Sequence, residues 1–142
     1  MARVDFYVLS QSGQNAELHF ACRLAEKAYR HEHSVQILTA SEQVAGMLDN
    51  LLWTFRDGSF VPHECIYDDT SAADSPVLIS TAAGALRDPG LLINLSRSLP
   101  PGIDALPRIA ELVTSDEDAR AAGRQRFTEY RNLGHELETH KV

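Results

Sequence analysis

The 142-residue chain lacks the residues that mark several large classes of protein. Its two cysteines, Cys22 and Cys65, show no CxxC spacing, so the sequence predicts neither a zinc site nor a disulfide framework, and a reducing cytoplasm is the expected location. No stretch approaches the roughly 20 apolar residues of a membrane span, and the start "MARVDFYVLS" is too short for a signal peptide and carries Asp5. We therefore expect a soluble cytoplasmic protein without membrane contact.

Positive charge is also scarce, because 13 Lys and Arg residues face 20 Asp and Glu residues and give a formal net charge of -7. This balance argues against a protein whose main role is to neutralise nucleic-acid phosphates. Glycine is missing where nucleotide-binding proteins need it, since the turn "SQSGQNA" has one glycine where a dinucleotide fingerprint has three. No cofactor or metal is predicted.

The hydrophobic pattern predicts alternating strands and helices. Runs of β-branched, aromatic and other apolar residues predict strands at "RVDFYVLS", "SVQILT", "PVLISTAA", "GLLINLS" and "RIAELVT". Amphipathic spacing predicts helices at "AELHFACRLAEKAYRHEH", "EQVAGMLDNLLW" and "DEDARAAGRQRFTEYRNLG". The segment "TFRDGSFVPHECIYDDTSAADSP" is predicted to be a surface loop. We expect one domain, residues 1–142, with a three-layer α/β sandwich and a mainly parallel sheet.

Histidine residues supply two possible chemical sites. His31 and His33 lie at the end of the first predicted helix, where the helix dipole favours positive charge, and a solvated pair is favoured over a metal site. His63 precedes Cys65 by two residues, but no oxyanion-forming glycine pattern accompanies it. The alternative hypothesis for function is a small cytoplasmic α/β enzyme that acts on a small molecule through His63 and Cys65.

Large apolar residues are concentrated in the predicted surface loop and just before it. Trp53, Phe55, Phe60 and Pro62 all lie within "LWTFRDGSFVP". Either they cover a sheet edge, or some are exposed and anchor a protein partner. The sequence leaves both possibilities open.

The last predicted helix concentrates positive charge, with four arginines in "RAAGRQRFTEYR". At 100° per residue, one stripe of the helix carries Arg120, Arg124, Phe127 and Arg131. This stripe suits a peptide with carboxylates and an apolar end. Pairing with the acidic residues 116–118 would instead make it an ordinary solvated face, which the pattern alone favours.

The other side of this helix is predicted to pack on the sheet. It carries Ala119, Ala122, Gly123, Tyr130 and Leu133. Gly123 would let the helix backbone approach the sheet closely, at a cost in helix propensity of about 1 kcal/mol. Arg126 lies near this packing side, and the sequence leaves open whether it is buried.

Several segments together resemble the chi subunit family of bacterial DNA polymerase III. They are "DFYVL", "LLWTF" with "SFVPH", "LLINLS", "ELV" and "RQRFTEYRNLGHEL", in an order and spacing that cover nearly the whole chain. The pair "LW...FVPH" and "R.RF..YR..G..L" is the most specific part. The resemblance implies a Rossmann-like fold without a nucleotide site and a non-catalytic member of the clamp-loader assembly.

The resemblance also implies a surface that binds the acidic C-terminal tail of single-stranded DNA-binding protein, so that DNA is contacted only indirectly. That tail ends in Phe with a free carboxylate and usually reads Asp-Ile-Pro-Phe. Arg124 is implied to pair with the carboxylate, and Val113 and Phe127 to form the pocket for the Phe. Arg120 and Arg131 would be rim charges. The predicted tail-binding residues are Val113, Arg120, Arg124, Phe127, Thr128 and Arg131.

A second implied surface binds the psi subunit or a helicase that competes for the same place. Its positions match Trp53, Phe60, Pro62 and His63. Two departures from the family pattern bear on the tail surface. Thr128 stands where some members have a basic residue, so weaker tail binding is expected. The C-terminal "ELETHKV" carries two acidic residues, which would repel an acidic peptide if this segment folded back.

Overall fold

A computed structural model describes the chain at residues 1–67, 74–81, 86–100 and 102–142. The described residues contain seven strands and three α-helices. In chain order they are β1 (Arg3–Val8), α1 (Gln14–Arg30), β2 (Val35–Thr39), α2 (Glu42–Thr54), β3 (His63–Ile66), β4 (Val77–Thr81), β5 (Leu91–Leu95), a short 3-10 helix (Ile103–Ala105), β6 (Arg108–Val113), α3 (Glu117–Asn132) and β7 (Glu136–Lys141).

The strands form one sheet in the order β3-β4-β2-β5-β6-β1-β7, and every strand pairing in the described residues is parallel. The central strands β2, β4 and β5 are buried at every residue, as expected for parallel strands covered on both faces. Helices α1 and α2 pack on one face and α3 on the other. The predicted three-layer α/β sandwich is therefore confirmed.

Local signals explain where α2 begins and how closely α3 packs. The Ser41 hydroxyl caps α2 by accepting a hydrogen bond from the Val44 N–H at 3.2 Å. A Cβ atom added to Gly123 would lie 2.8 Å from Cγ2 of Val113, so only glycine lets α3 approach β6 this closely. Tyr130 is fully buried on the same side of α3. Leu133, predicted to pack there, is 61% exposed because α3 ends at Asn132.

Two strands were not predicted. β3 lies inside the segment predicted as a surface loop, and residues 68–73 of that segment fall outside the described ranges, as do residues 82–83 of the predicted strand "PVLISTAA". The C-terminal segment pairs with β1 as β7. Helix α1 ends at Arg30, so His31 and His33 follow it as exposed residues instead of forming its last turn. Within the described ranges, every helix is too short or too polar to span a bilayer.

Candidate functional site

A groove of about 590 Å³ lies between α3 and the strands at one edge of the sheet. β1 and the turn after it, β6, α3 and β7 all contribute side chains to it. The lining residues are Phe6, Val8, Leu9, Ser10, Val113, Arg120, Gly123, Arg124, Phe127, Thr128, Thr139, Lys141 and Val142. Five of the six residues predicted to bind an acidic tail are thus brought together here, and Arg131 lies outside the lining.

The floor of the groove is apolar and partly aromatic. The Phe127 ring packs on the Phe6 ring at a centroid distance of 5.3 Å and an angle of 60°, and Phe6 meets Tyr130 edge to face at 6.0 Å. Val113 is buried behind them. The groove volume falls in the range that holds a small ligand, and aromatic side chains provide a large apolar contact area.

The rim of the groove is positively charged. Arg120, Arg124 and Lys141 are exposed, and none of them forms an ion pair with any residue that the structure describes. Among the described lining residues there is no Asp or Glu side chain. Asp116 instead accepts hydrogen bonds from the Gly13 N–H at 3.0 Å and the Thr114 hydroxyl at 2.7 Å. The helix-spaced pairing that would neutralise the arginine stripe is therefore not formed.

A buried polar network holds α3 against the sheet beneath the groove. Glu111, 1% exposed on β6, accepts hydrogen bonds from Arg126 Nε at 2.9 Å, the Tyr130 hydroxyl at 2.7 Å and Asn94 Nδ2 at 2.7 Å. Burial raises the pKa of Glu111, although the charge of Arg126 and the three hydrogen bonds oppose the shift. Arg126 is 5% exposed, which answers the question that the sequence left open. Arg126 therefore lies on the inner side of α3, whereas Arg120 and Arg124 are exposed.

The C-terminal segment does fold back, but its acidic residues lie away from the groove. Alternation along β7 directs Thr139 and Lys141 into the groove, whereas Glu138 on the other face pairs with Arg3. The expected repulsion of an acidic peptide is therefore not supported by the position of Glu138. Lys141 instead adds a cation that sequence reasoning missed, because β7 was not predicted.

Asp5, Glu138 and His140 lie close enough together to hold a metal ion in principle. Two guanidinium groups already occupy this cluster, since Arg108 Nε lies 3.1 Å from Asp5 and Arg3 contacts both carboxylates. Burial acts against ionisation of Asp5, but hydrogen bonds from His140 and Arg108 hold its pKa below the ordinary value. Guanidinium groups would repel a cation, so these residues do not suit a metal.

The place where related folds bind a nucleotide phosphate is occupied by acidic side chains. In such folds the phosphate lies at the N-terminus of the first helix. Here the Asp116 carboxylate accepts a hydrogen bond from Gly13 N, and Glu17 in the first turn of α1 is buried and paired with Arg97 at 3.1 Å. A phosphate would meet two carboxylates, so the residues present do not suit a nucleotide.

A second surface lies at the opposite edge of the sheet, beside β3. Trp53 is 53% exposed and Phe60 is 80% exposed, and Pro62 is exposed between them and the strand. The Trp53 ring packs on the buried imidazole of His63 at a centroid distance of 4.4 Å. Phe55, by contrast, packs against the core. The loop aromatics thus divide between core and surface.

His63 and Cys65 do not form a reactive pair. Nδ1 of His63 lies 2.7 Å from the Val61 carbonyl oxygen, and Nε2 lies 3.0 Å from the Asp49 carboxylate. Both ring nitrogens are therefore engaged with oxygen acceptors. Burial raises the pKa of the Cys65 thiol, which disfavours the reactive thiolate. In the part of the chain that the structure describes, no hydrogen bond joins the two side chains.

Sequence comparison with known proteins finds the same family in a family model and in individual proteins. The family model described as "DNA polymerase III chi subunit, HolC" matches residues 1–138. The DNA polymerase III subunit chi of Pseudomonas aeruginosa is 38% identical over 142 residues, covering 100% of this chain and 98% of that protein. The proteins of the same name from Haemophilus influenzae and Escherichia coli are 29% and 27% identical, covering 97% and 98% of this chain and 96% and 97% of their own lengths.

Solved structures of other proteins share the fold. The complex of Saccharomyces cerevisiae Dbp5 with Gle1 and IP6 aligns with a TM-score of 0.62 at 13% identity, covering 99% of this chain and 42% of that one. A DEAD box protein from Methanococcus jannaschii aligns with a TM-score of 0.61 at 15% identity, covering 95% and 41%. At these identities the likeness concerns the α/β architecture alone.

Proposed function

Because the chain belongs to the DNA polymerase III chi subunit family, we propose that it is a non-catalytic accessory subunit of that replicase. Its partner would be the acidic C-terminal tail of single-stranded DNA-binding protein, which it would bind directly. It would act in the cytoplasm with the clamp-loader assembly during DNA replication. The protein would hold the polymerase near coated single-stranded DNA and contact the DNA only through its partner.

The groove beside α3 is the observation that carries this proposal. A peptide that ends in Phe carries the aromatic ring and the free carboxylate on the same residue. Its binding site therefore needs an apolar pocket and a cation close to each other. Phe127 and Val113 supply the apolar surface, and Arg124 stands on the same helix one turn before Phe127. The planar guanidinium of arginine can bind a carboxylate through two parallel hydrogen bonds. Arg120 and Lys141 add charge at the rim for the acidic residues of the peptide.

Tethering is the mechanism that such a contact supports. One coated strand presents several tails, so a modest individual affinity is multiplied by local concentration. Because the contact depends on exposed charges, it should weaken as salt rises. Exposed rim charges such as Arg120 act more on the association rate and its salt dependence than on the dissociation rate.

The test is a titration with a labelled peptide ending in Asp-Ile-Pro-Phe at low and moderate salt. We expect Arg124→Ala to weaken binding about 10-fold or more, the loss typical of a hydrogen bond to a charged group. Arg124→Lys is the matched control, because it keeps the charge and removes the bidentate geometry, and it should bind with intermediate affinity. The same peptide with an amidated C-terminus should bind to wild type as weakly as the free-acid peptide binds to Arg124→Ala.

The proposal would be contradicted if wild type failed to bind the free-acid peptide at low salt. The arginine stripe would then be a solvated helix face. Equal binding of the free-acid and amidated peptides would show that the groove attracts negative charge in general. Arg124 would then not bind the terminal carboxylate.

We also propose that the surface formed by Trp53, Phe60 and Pro62, with His63 beneath it, binds the psi subunit or a helicase that competes for this place. Exposed aromatic residues on a loop are typical anchors of protein interfaces. A Trp53→Ala/Phe60→Ala variant should lose co-elution with purified psi from the same organism while it still binds the tail peptide. Retention of psi by this double variant would show that the interface lies elsewhere.

A further inference from the structure

A second group of basic side chains lies on the other face of the sheet, along the exposed side of α1. His19, Arg23 and Lys27 follow one another at four-residue spacing and are all exposed. Residues four apart share one side of a helix, so the three form a row. This basic row lines a cavity of about 430 Å³, to which Tyr7 and Val142 also contribute.

The cavity beside the basic row adjoins the groove around the end of β7. Val142 lines both of them. Tyr7 and Val8 are consecutive residues of β1 whose side chains face opposite sides of the sheet, and Tyr7 lines the cavity whereas Val8 lines the groove. Backbone hydrogen bonds from Val142 N to Val8 O at 3.0 Å and from Ser10 N to Val142 O at 3.1 Å fix the chain between the two.

The basic row carries charge that is available to a ligand. Arg23 lies over the Phe20 ring at 5.8 Å, and neither Arg23 nor Lys27 forms an ion pair within the described ranges. Glu26 is the acidic side chain among the described residues lining this cavity. Its carboxylate is already paired with Arg56 at 2.6 Å and hydrogen-bonded to the Ser59 hydroxyl. The cavity therefore presents net positive charge.

The chemistry of the cavity favours an acidic peptide over a single-stranded nucleic acid. Nucleic-acid surfaces of that kind offer free aromatic faces on which bases stack. Here the Tyr7 ring is stacked on His140 at 5.0 Å and packed against Phe20 at 5.3 Å, and Arg23 covers Phe20. The net charge of -7 also opposes a long polyanion more than a short peptide.

We propose that the basic row binds the acidic residues that precede the apolar end of the tail, so that one peptide runs from the groove around the end of β7 onto α1. This inference rests on the proposed function of the groove. The row from His19 to Lys27 spans eight residue steps of the helix, or about 12 Å. About four residues of extended peptide cover that length. The tail is thus read in two segments, its carboxyl end by α3 and its upstream carboxylates by α1.

The experiment compares two labelled peptides. The short peptide is Asp-Ile-Pro-Phe, and the long peptide carries several additional Asp residues before it. We expect wild type to bind the long peptide about three- to tenfold more tightly than the short one, as two exposed charge contacts would allow. The variant R23Q/K27Q should lose this gain and bind the short peptide like wild type. The charge-conserving variant R23K/K27R is the matched control and should keep the gain.

The outcomes separate this inference from the function on which it rests. If R23Q/K27Q keeps the gain of the long peptide, the basic row is not part of the tail site, and the groove proposal stands. If wild type binds neither peptide, the groove proposal fails and this inference fails with it. A labelled oligothymidine is the third probe. Binding of this probe by wild type and its loss in R23Q/K27Q would assign the row to nucleic acid and overturn the peptide assignment.

Discussion

The two edges of the sheet expose different kinds of side chain. At the β7 edge, Arg120, Arg124 and Lys141 stand over an apolar floor, and a buried ionic network lies beneath. At the β3 edge, Trp53 and Phe60 are exposed. Six strand spacings of about 4.8 Å separate β3 from β7, so the edges are roughly 29 Å apart. The proposed tail-binding groove and the proposed partner surface therefore lie at separate ends of the sheet.

The largest expected effect comes from the buried network beneath the β7 edge. Glu111→Ala would leave the Arg126 guanidinium buried without its carboxylate partner. We expect the free energy of unfolding to fall by about 3–5 kcal/mol, measured by urea denaturation. Glu136→Ala is the control, since Glu136 is exposed, and it should change stability by less than about 0.5 kcal/mol. Equal stabilities of the two variants would show that the network does not support α3.

Two helical glycines test how tightly each edge is packed. Gly123→Ala would place a Cβ atom 2.8 Å from Val113 Cγ2, and we expect a loss of about 1–2 kcal/mol, because overpacking outweighs the gain in helix propensity. The groove should bind the tail peptide more weakly as α3 is pushed out. Gly46 of α2 has no neighbouring atom within 4 Å of such a Cβ, so Gly46→Ala should stabilise the protein by about 0.5–1 kcal/mol. Thermal unfolding of both variants measures the difference, and the same sign for both would refute it.

The exposed aromatic edge should tolerate truncation far better than the groove edge. We expect Trp53→Ala/Phe60→Ala to change the free energy of unfolding by less than about 1 kcal/mol, because both side chains are largely exposed. The loss would come mainly from the contact between Trp53 and His63. A loss of several kcal/mol in urea denaturation would instead make these residues part of the core.

Acid should weaken the β7 edge through Asp5. Because the pKa of Asp5 is lowered on folding, its ionised form contributes stability above its ordinary pKa of 3.8, and this contribution is lost as pH falls toward the lower folded value. Asp5→Asn should therefore lose less stability than wild type between about pH 5 and about pH 3, compared by urea midpoints. Parallel acid dependence of the two proteins would mean that the contacts with Arg108 and His140 contribute little.

The parts of the fold that can be predicted from the sequence are those with a strong hydrophobic pattern, either a continuous apolar run or an amphipathic helical spacing. β2, β4 and β5 are continuous apolar strands, and α1 to α3 have clear apolar faces. β3 escaped prediction because it has only four residues and follows Pro62. β7 escaped because "ELETHK" is polar at nearly every position, as an edge strand with one described neighbour can be.

Helical period predicted the part of the site that lies on α3, whereas Val113 on β6 came from the family resemblance. Helical period placed Arg120, Arg124 and Phe127 together, but Phe6 and Thr139 lie side by side in the groove lining only because β1 pairs with β7. A contact between residues so distant in sequence leaves no local pattern. Glu111 did leave a signal, because a single carboxylate in the apolar strand "RIAELV" requires a buried partner, which Arg126 provides.

The pairing of β1 with β7 determines when the groove can form during synthesis of the chain. Residues 2–113 supply six of the seven strands, so most of the sheet can be assembled while the rest of the chain is being translated. The groove, however, takes Thr139, Lys141 and Val142 from a segment that is translated after those six strands. A chain that stops before β7 would therefore lack part of the groove lining even with most of its sheet in place.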